Sequence, residues 1–170
     1  MRRIVVVIVG ITFISCLGFL FIKQKKSDTD PVAEAVMANP TTAQIRQSLQ
    51  GTITLNSGET QEDAKRRIFS TLFKKRFREF NPTIAVGMRF DNATSVRLYF
   101  PARLEPYYRD RIAYTAWREI KELLGVSCGI TLWDTYIGLP PAKTGELKPV
   151  AGSPDRVHII HNFMGQHVVQ

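Results

Sequence analysis

The sequence predicts an α+β protein. An N-terminal transmembrane helix precedes a small two-layer domain, in which two helices cover one face of an antiparallel sheet of three to four strands. Three observations predict this. Residues 4–22, IVVVIVGITFISCLGFLFI, carry no charge. Two later stretches, 61–80 and 105–124, repeat apolar side chains at helical spacing. Around them, apolar and polar residues alternate with the period of a half-buried strand. A chain of 170 residues has room for one ordinary domain beside such an apolar block.

The block comes first. Roughly 20 residues rising 1.5 Å each span a hydrocarbon core of about 30 Å. Thr12 and Ser15 are its only polar side chains, Arg2 and Arg3 precede it, and Lys23, Lys25 and Lys26 follow it. Cations at both ends suit a spanning helix whose flanks reach the headgroups. Three readings compete. An uncleaved signal anchor over residues 1–23 fits best. A cleaved secretory signal would have an unusually long apolar region and lacks a small-residue site at its end. A lipoprotein signal would use Phe13-Ile14-Ser15 before Cys16, yet Leu17 to Ile22 stays apolar. A short N-terminal tail usually remains cytoplasmic, which places the domain on the non-cytoplasmic side. The expected location is a bacterial inner membrane, or the membrane of an organelle derived from it.

Residues 24–56 read as a linker, with KQKK, SDTDP and MANPTT in succession and few aromatics. Pro31 and Pro40 oppose one long helix. Val32 to Met37 could form a helical turn, and Gly51 to Leu55 a short strand. The basic domain is expected over 57–165. Its first helix spans 61–80, capped by Thr60 with Asp63 three residues on. Ile68, Phe69, Leu72, Phe73, Phe77 and Phe80 make its apolar face, and Asn81-Pro82 ends it. A hairpin follows, with strands at 83–90 and 95–100 around the turn residues Asp91-Asn92. The second helix, 105–124, has Pro106 at its start and Gly125 beyond its end. A third strand covers 128–137. Gly138-Leu-Pro-Pro then opens a loop that lasts to Pro154, and 157–163 would add a fourth strand.

The order helix, strand, strand, helix, strand over Gln61 to Ile137, with VRLYFP in the place of the second strand, resembles the BON (bacterial OsmY and nodulation) domain. Asn92-Ala93 and Pro101 stand where that family carries glycines. The resemblance implies binding or assembly near membranes rather than catalysis.

The net charge of +8 falls mostly on the domain. Lys65, Arg66, Arg67, Lys74, Lys75, Arg76 and Arg78 crowd the first helix, and they are the candidate contacts for anionic lipid or a partner protein. With a membrane anchor present, lipid and a membrane protein complex are the expected partners. Nucleic acid and a small-molecule substrate are not expected. The chain's three histidines, His158, His161 and His167, are spaced by three with Met164 among them. Imidazoles and a thioether suit copper, and imidazoles alone suit zinc. That set supports an alternative function in metal handling, and otherwise no cofactor is expected. Cys16 lies in the apolar block and cannot meet Cys128 in a folded domain, so no internal disulfide is expected. Cys128 has no base near it in sequence and reads as a buried structural residue. Asp134 interrupts an apolar strand, and Arg89 or Arg97 could pair with it across the sheet. No phosphate loop, metalloprotease motif or CxxC is present. These readings describe a membrane-anchored, non-enzymatic accessory protein that helps assemble or maintain a membrane complex or organelle.

Overall fold

The computed structural model describes residues 40–80, 84 and 86–162, the backbone of 165–169, and the single positions 35 and 37. Residues 1–23, which carry the anchor expectation, lie outside them. Among the described residues no helix is long and apolar enough to cross a membrane.

The elements run α1 (Thr42–Gln50), α2 (Gln61–Phe80), β1 (Gly87–Asn92), β2 (Ser95–Pro101), α3 (Pro106–Leu124), β3 (Gly129–Tyr136), β4 (Leu139–Val150), β5 (Ser153–His161) and β6 (Gly165–Val169). The fold is α+β. The six strands form one sheet in the order β1-β2-β3-β4-β5-β6. Every neighbouring pair is antiparallel except β2 and β3, which run parallel with Ser95 opposite Gly129 and Pro101 opposite Thr135. The sheet is therefore mixed and six-stranded, not antiparallel with three or four strands. α3 supplies the crossover that a parallel pair requires.

The two long helices form where their apolar periodicity places them. Phe69, Phe73 and Phe77 of α2 and Ile112, Ala116 and Ile120 of α3 are wholly buried. They share one core with alternate strand residues, including Val96, Leu98 and Phe100 of β2 and Ile130 and Leu132 of β3. The other parity of β2 and β3, Arg97, Tyr99, Thr131 and Trp133, is only half-buried.

Three stretches depart from the sequence expectation. α1 and its core contacts fall inside the expected linker 24–56. Thr41 caps it: its hydroxyl accepts from the Gln44 N–H at 3.3 Å, while the Gln44 side chain accepts from the Thr41 N–H at 2.6 Å. Ile45 and Leu49, one turn apart, enter the core. No strand forms over Gly51 to Leu55. Most of the expected loop 138–154 is instead the long strand β4, between β3 and β5. Its prolines are accommodated by position. Pro140 and Pro141 sit where the β3 register breaks, before pairing with β5 begins at Gly145, and Pro149 adjoins a second register break. Gly145 is where β4 needs a bare α-carbon, because a Cβ there would lie 2.6 Å from the Ile160 carbonyl oxygen. The expected strand 157–163 becomes β5, and β6 follows it past the expected domain end at 165.

Candidate functional site

The cations of α2 are largely engaged. Lys65 Nζ lies 2.9 Å from Glu62, Arg66 Nη1 2.6 Å from Asp63, Arg67 Nε 2.8 Å from Glu59, and Lys75 Nζ 3.7 Å from Glu79. The Arg67 guanidinium, helped by the Asn56 N–H, holds the Glu59 carboxyl below the usual carboxylate range. Arg76 is not a surface residue at all. Its side chain is 0% exposed and its Nη1 donates to both Glu119 oxygens, at 2.9 and 3.1 Å. Its Nε donates to the Pro40 carbonyl at 2.8 Å, and the Thr42 hydroxyl donates to the same Glu119 carboxylate. Arg76 therefore ties α1, α2 and α3 together inside the fold and cannot meet lipid or a partner. Lys74 and Arg78 make no ion pair among the described residues. The helix is thus a nearly charge-balanced surface with two uncommitted cations near its C-terminal end.

The two histidines whose side chains are described, His158 and His161, do not converge. Val157 and Ile159 of β5 enter the core, and His161, of the same parity, lies against α3 with Nε2 2.9 Å from Asp110. His158 has the opposite parity and points from the other face of the sheet. His167 stands opposite Ile159 in the β5–β6 register, and Met164 lies outside the described residues. Among the described residues no group of three potential ligands forms a metal site.

Asp134 and Cys128 are held structurally. Asp134 is 5% exposed, and its partner is Arg109 of α3 at 2.5 Å, not Arg89 or Arg97. Arg109 also donates from Nε to the Leu104 carbonyl at 2.6 Å and from Nη2 to the Ala102 carbonyl at 2.9 Å. Arg97 instead pairs with Asp91 at 2.6 Å and lies over the Trp133 ring, 5.3 Å from its centroid. Cys128 is 1% exposed, and burial pushes its thiol up to about 12, so the nucleophilic thiolate is absent near neutral pH.

Among the described residues, three of the large exposed apolar side chains cluster at the β3–β4 turn. Tyr136 and Leu139 pair across Ile137-Gly138, and Gly138 takes the positive φ of 76° that closes the turn. Ile137 at its apex is 105% exposed relative to an isolated residue, Leu139 65% and Tyr136 45%. Together with residues 101–103 at the end of β2, they border an open, largely apolar cleft of about 730 Å³. Arg103 stands on its rim, exposed and without an ion pair among the described residues. Arg109 holds Ala102 in one wall, and its other partners, Leu104 and Asp134, stand next to lining residues Arg103 and Thr135. In the sequence, the signal for this site is the apolar residues on both sides of Gly138, beside the turn chemistry of Gly138-Leu-Pro-Pro.

No protein-family model, no curated protein and no solved structure matches the chain.

Proposed function

We propose that the protein is a membrane-attached, non-enzymatic accessory protein. Its domain docks on a membrane surface or a membrane-bound partner in the assembly or maintenance of a membrane complex or organelle. The observation that carries this reading is the exposed apolar β3–β4 turn beside its cleft. A soluble domain rarely leaves adjacent large apolar side chains in water without a binding role. Among the described residues no convergent set of acid, base and nucleophile accompanies it, and the surface suits binding better than chemistry. The apolar, cation-flanked block at residues 4–22 supports attachment through a single span, with the domain on the non-cytoplasmic side of a bacterial inner membrane or a derived organelle. The resemblance to the BON domain agrees with this reading.

The test is co-purification of the full chain from native membranes after mild crosslinking, alongside an alkaline wash of the same membranes. The chain is expected to stay in the washed membrane fraction and to bring down membrane components, and Ile137→Asp with Leu139→Asp should lose them. Release of the chain by the wash would overturn membrane attachment. An unchanged set of components with the double variant would overturn docking through the turn.

A further inference from the structure

We infer that the Tyr136–Leu139 turn is a bilayer-insertion element, which enters the headgroup–acyl boundary of the membrane while Arg103 meets anionic headgroups. This rests on the reading that the chain is membrane-attached, and it commits the apolar turn to lipid rather than to a partner protein.

The chemistry of the turn fits that occupant. Ile137 at its apex is fully exposed, and Tyr-Ile-Gly-Leu carries no charge. An aliphatic pair flanked by tyrosine is the composition of segments that lie at the boundary between headgroups and acyl chains. The strand leaving the turn continues as Pro140-Pro141. Proline has no N–H, so two backbone donors that would need a partner on leaving water are missing where the arm enters the interface. Tyr136 and Leu139 are paired across the turn, which leaves only the turn's own peptide groups to face headgroups and water. Insertion is therefore shallow.

The electrostatics agree. Arg103, on the cleft rim, has no counter-ion among the described residues, so an anionic headgroup would supply one. The nearest acid in sequence, Glu105, immediately precedes α3, where the positive end of the helix already favours its charge. Attachment also removes most of the entropic cost of docking. Confinement of an attached domain near a bilayer raises its effective concentration there, so a weak apolar contact suffices.

The experiment uses the full chain, with Cys16→Ser, reconstituted in phosphatidylcholine vesicles with and without phosphatidylglycerol. A spin label is placed at Ile137→Cys, a fully exposed position where substitution disturbs no packing. A reference label is placed at Arg89→Cys, an exposed side chain on β1. Collision with oxygen, which concentrates in lipid, is compared with collision with a water-soluble nickel chelate. The label at 137 is expected to show several-fold less nickel collision and more oxygen collision than the label at 89. Equal nickel collision at both positions in vesicle-bound protein overturns the inference and leaves attachment standing. A chain that fails to float with the vesicles overturns both. Reduced collision with nickel and oxygen alike means that another copy of the chain covers the turn, which also overturns the inference. Arg103→Glu should weaken the contrast in phosphatidylglycerol vesicles and not in pure phosphatidylcholine. An equal effect in both overturns the headgroup contact.

Discussion

Removing one member of the buried Arg76–Glu119 pair should be the most damaging polar substitution in the domain. The two side chains are 0% and 1% exposed, so neither charge has water as an alternative partner. Arg76→Met strips the Glu119 carboxylate of its guanidinium and, among the described residues, leaves it the Thr42 hydroxyl, and it leaves the Pro40 carbonyl without the Arg76 Nε donor. Breaking a buried pair in this way typically costs about 3–5 kcal/mol. Against a domain stability of about 5–15 kcal/mol, that is a large share. Glu119→Leu should cost a similar amount, because it buries an unpaired cation. The double variant Arg76→Met/Glu119→Leu leaves neither charge, and it should recover at least about 1–3 kcal/mol of the summed loss. Urea unfolding of the Pro31–Gln170 unit at unchanged m-value measures these differences. Amide exchange adds a local readout: in either single variant Thr42–Gln50 should lose protection first, since Arg76 and Glu119 hold the start of α1. Single variants within about 1 kcal/mol of the parent, or strict additivity in the double variant, would refute the account of this pair as a buried junction.

Three further outcomes follow from the geometry. Gly145→Ala sets a Cβ 2.6 Å from the Ile160 carbonyl, so β4 and β5 must separate, and thermal unfolding should show a loss of about 1–3 kcal/mol; an unchanged midpoint would mean the strands lie farther apart. The Cys128 thiol stays protonated in the fold up to about 12 but ionises near 8.5 when unfolded; its contribution is complete below the unfolded value and falls by up to about 1.4 kcal/mol per pH unit above it, a slope that Cys128→Ala should remove in parallel denaturation series. Charge reversal at Lys74 and Arg78 should weaken sedimentation of the Pro31–Gln170 unit with anionic vesicles by about 1 kcal/mol per residue, whereas reversal of the paired Arg66 should do less; equal effects would show that the ion pairs on α2 do not occupy its cations.

Much of the fold was legible because it is local. The apolar stripes of α2 and α3, the proline and glycine at the ends of α3, and the alternation of β2 each act within a few residues. What failed depended on partners distant in sequence. Alternation is the same in parallel and antiparallel strands, so β2 and β3 could not be oriented from it. The helix-length crossover between them was the signal that went unused. β4 is poor in β-formers, with Pro-Pro-Ala-Lys-Thr-Gly at its start, and it is a strand because β3 and β5 pair with it. α1 is nine residues long, too short to stand alone, and depends on burying Ile45 and Leu49. Two site assignments were recoverable from periodicity. Arg76 stands seven residues after Phe69 and three after Phe73, on the apolar stripe itself. Asp134 shares the parity of Ile130 and Leu132, which face the helices, whereas Arg97 has the outward parity of β2. Its partner therefore had to come from a helix, and Arg109 is that partner.

The parallel pair also explains why the apolar cleft lies where it does. With Pro101 opposite Thr135, β2 and β3 end at the same margin of the sheet. After β2 the chain leaves toward α3, while after β3 it doubles back as β4. Two chains departing in different directions from neighbouring strand ends leave a crevice that neither fills, the arrangement that places ligand sites at the carboxyl ends of strands in open sheets. Elsewhere in the sheet the connections are hairpins, which close over their own strand ends. The cleft is thus a consequence of topology, and Arg109 ties Ala102, in one wall, to Asp134, which adjoins Thr135 in the other. The cations of α2, by contrast, are mostly matched, by Glu62, Asp63 and Glu79 of the helix itself, by Glu59 before it and by Glu119 of α3. The β3–β4 turn, with Ile137 and Leu139 exposed beside the cleft, has no such match among the described residues, which is why the proposed docking is placed there.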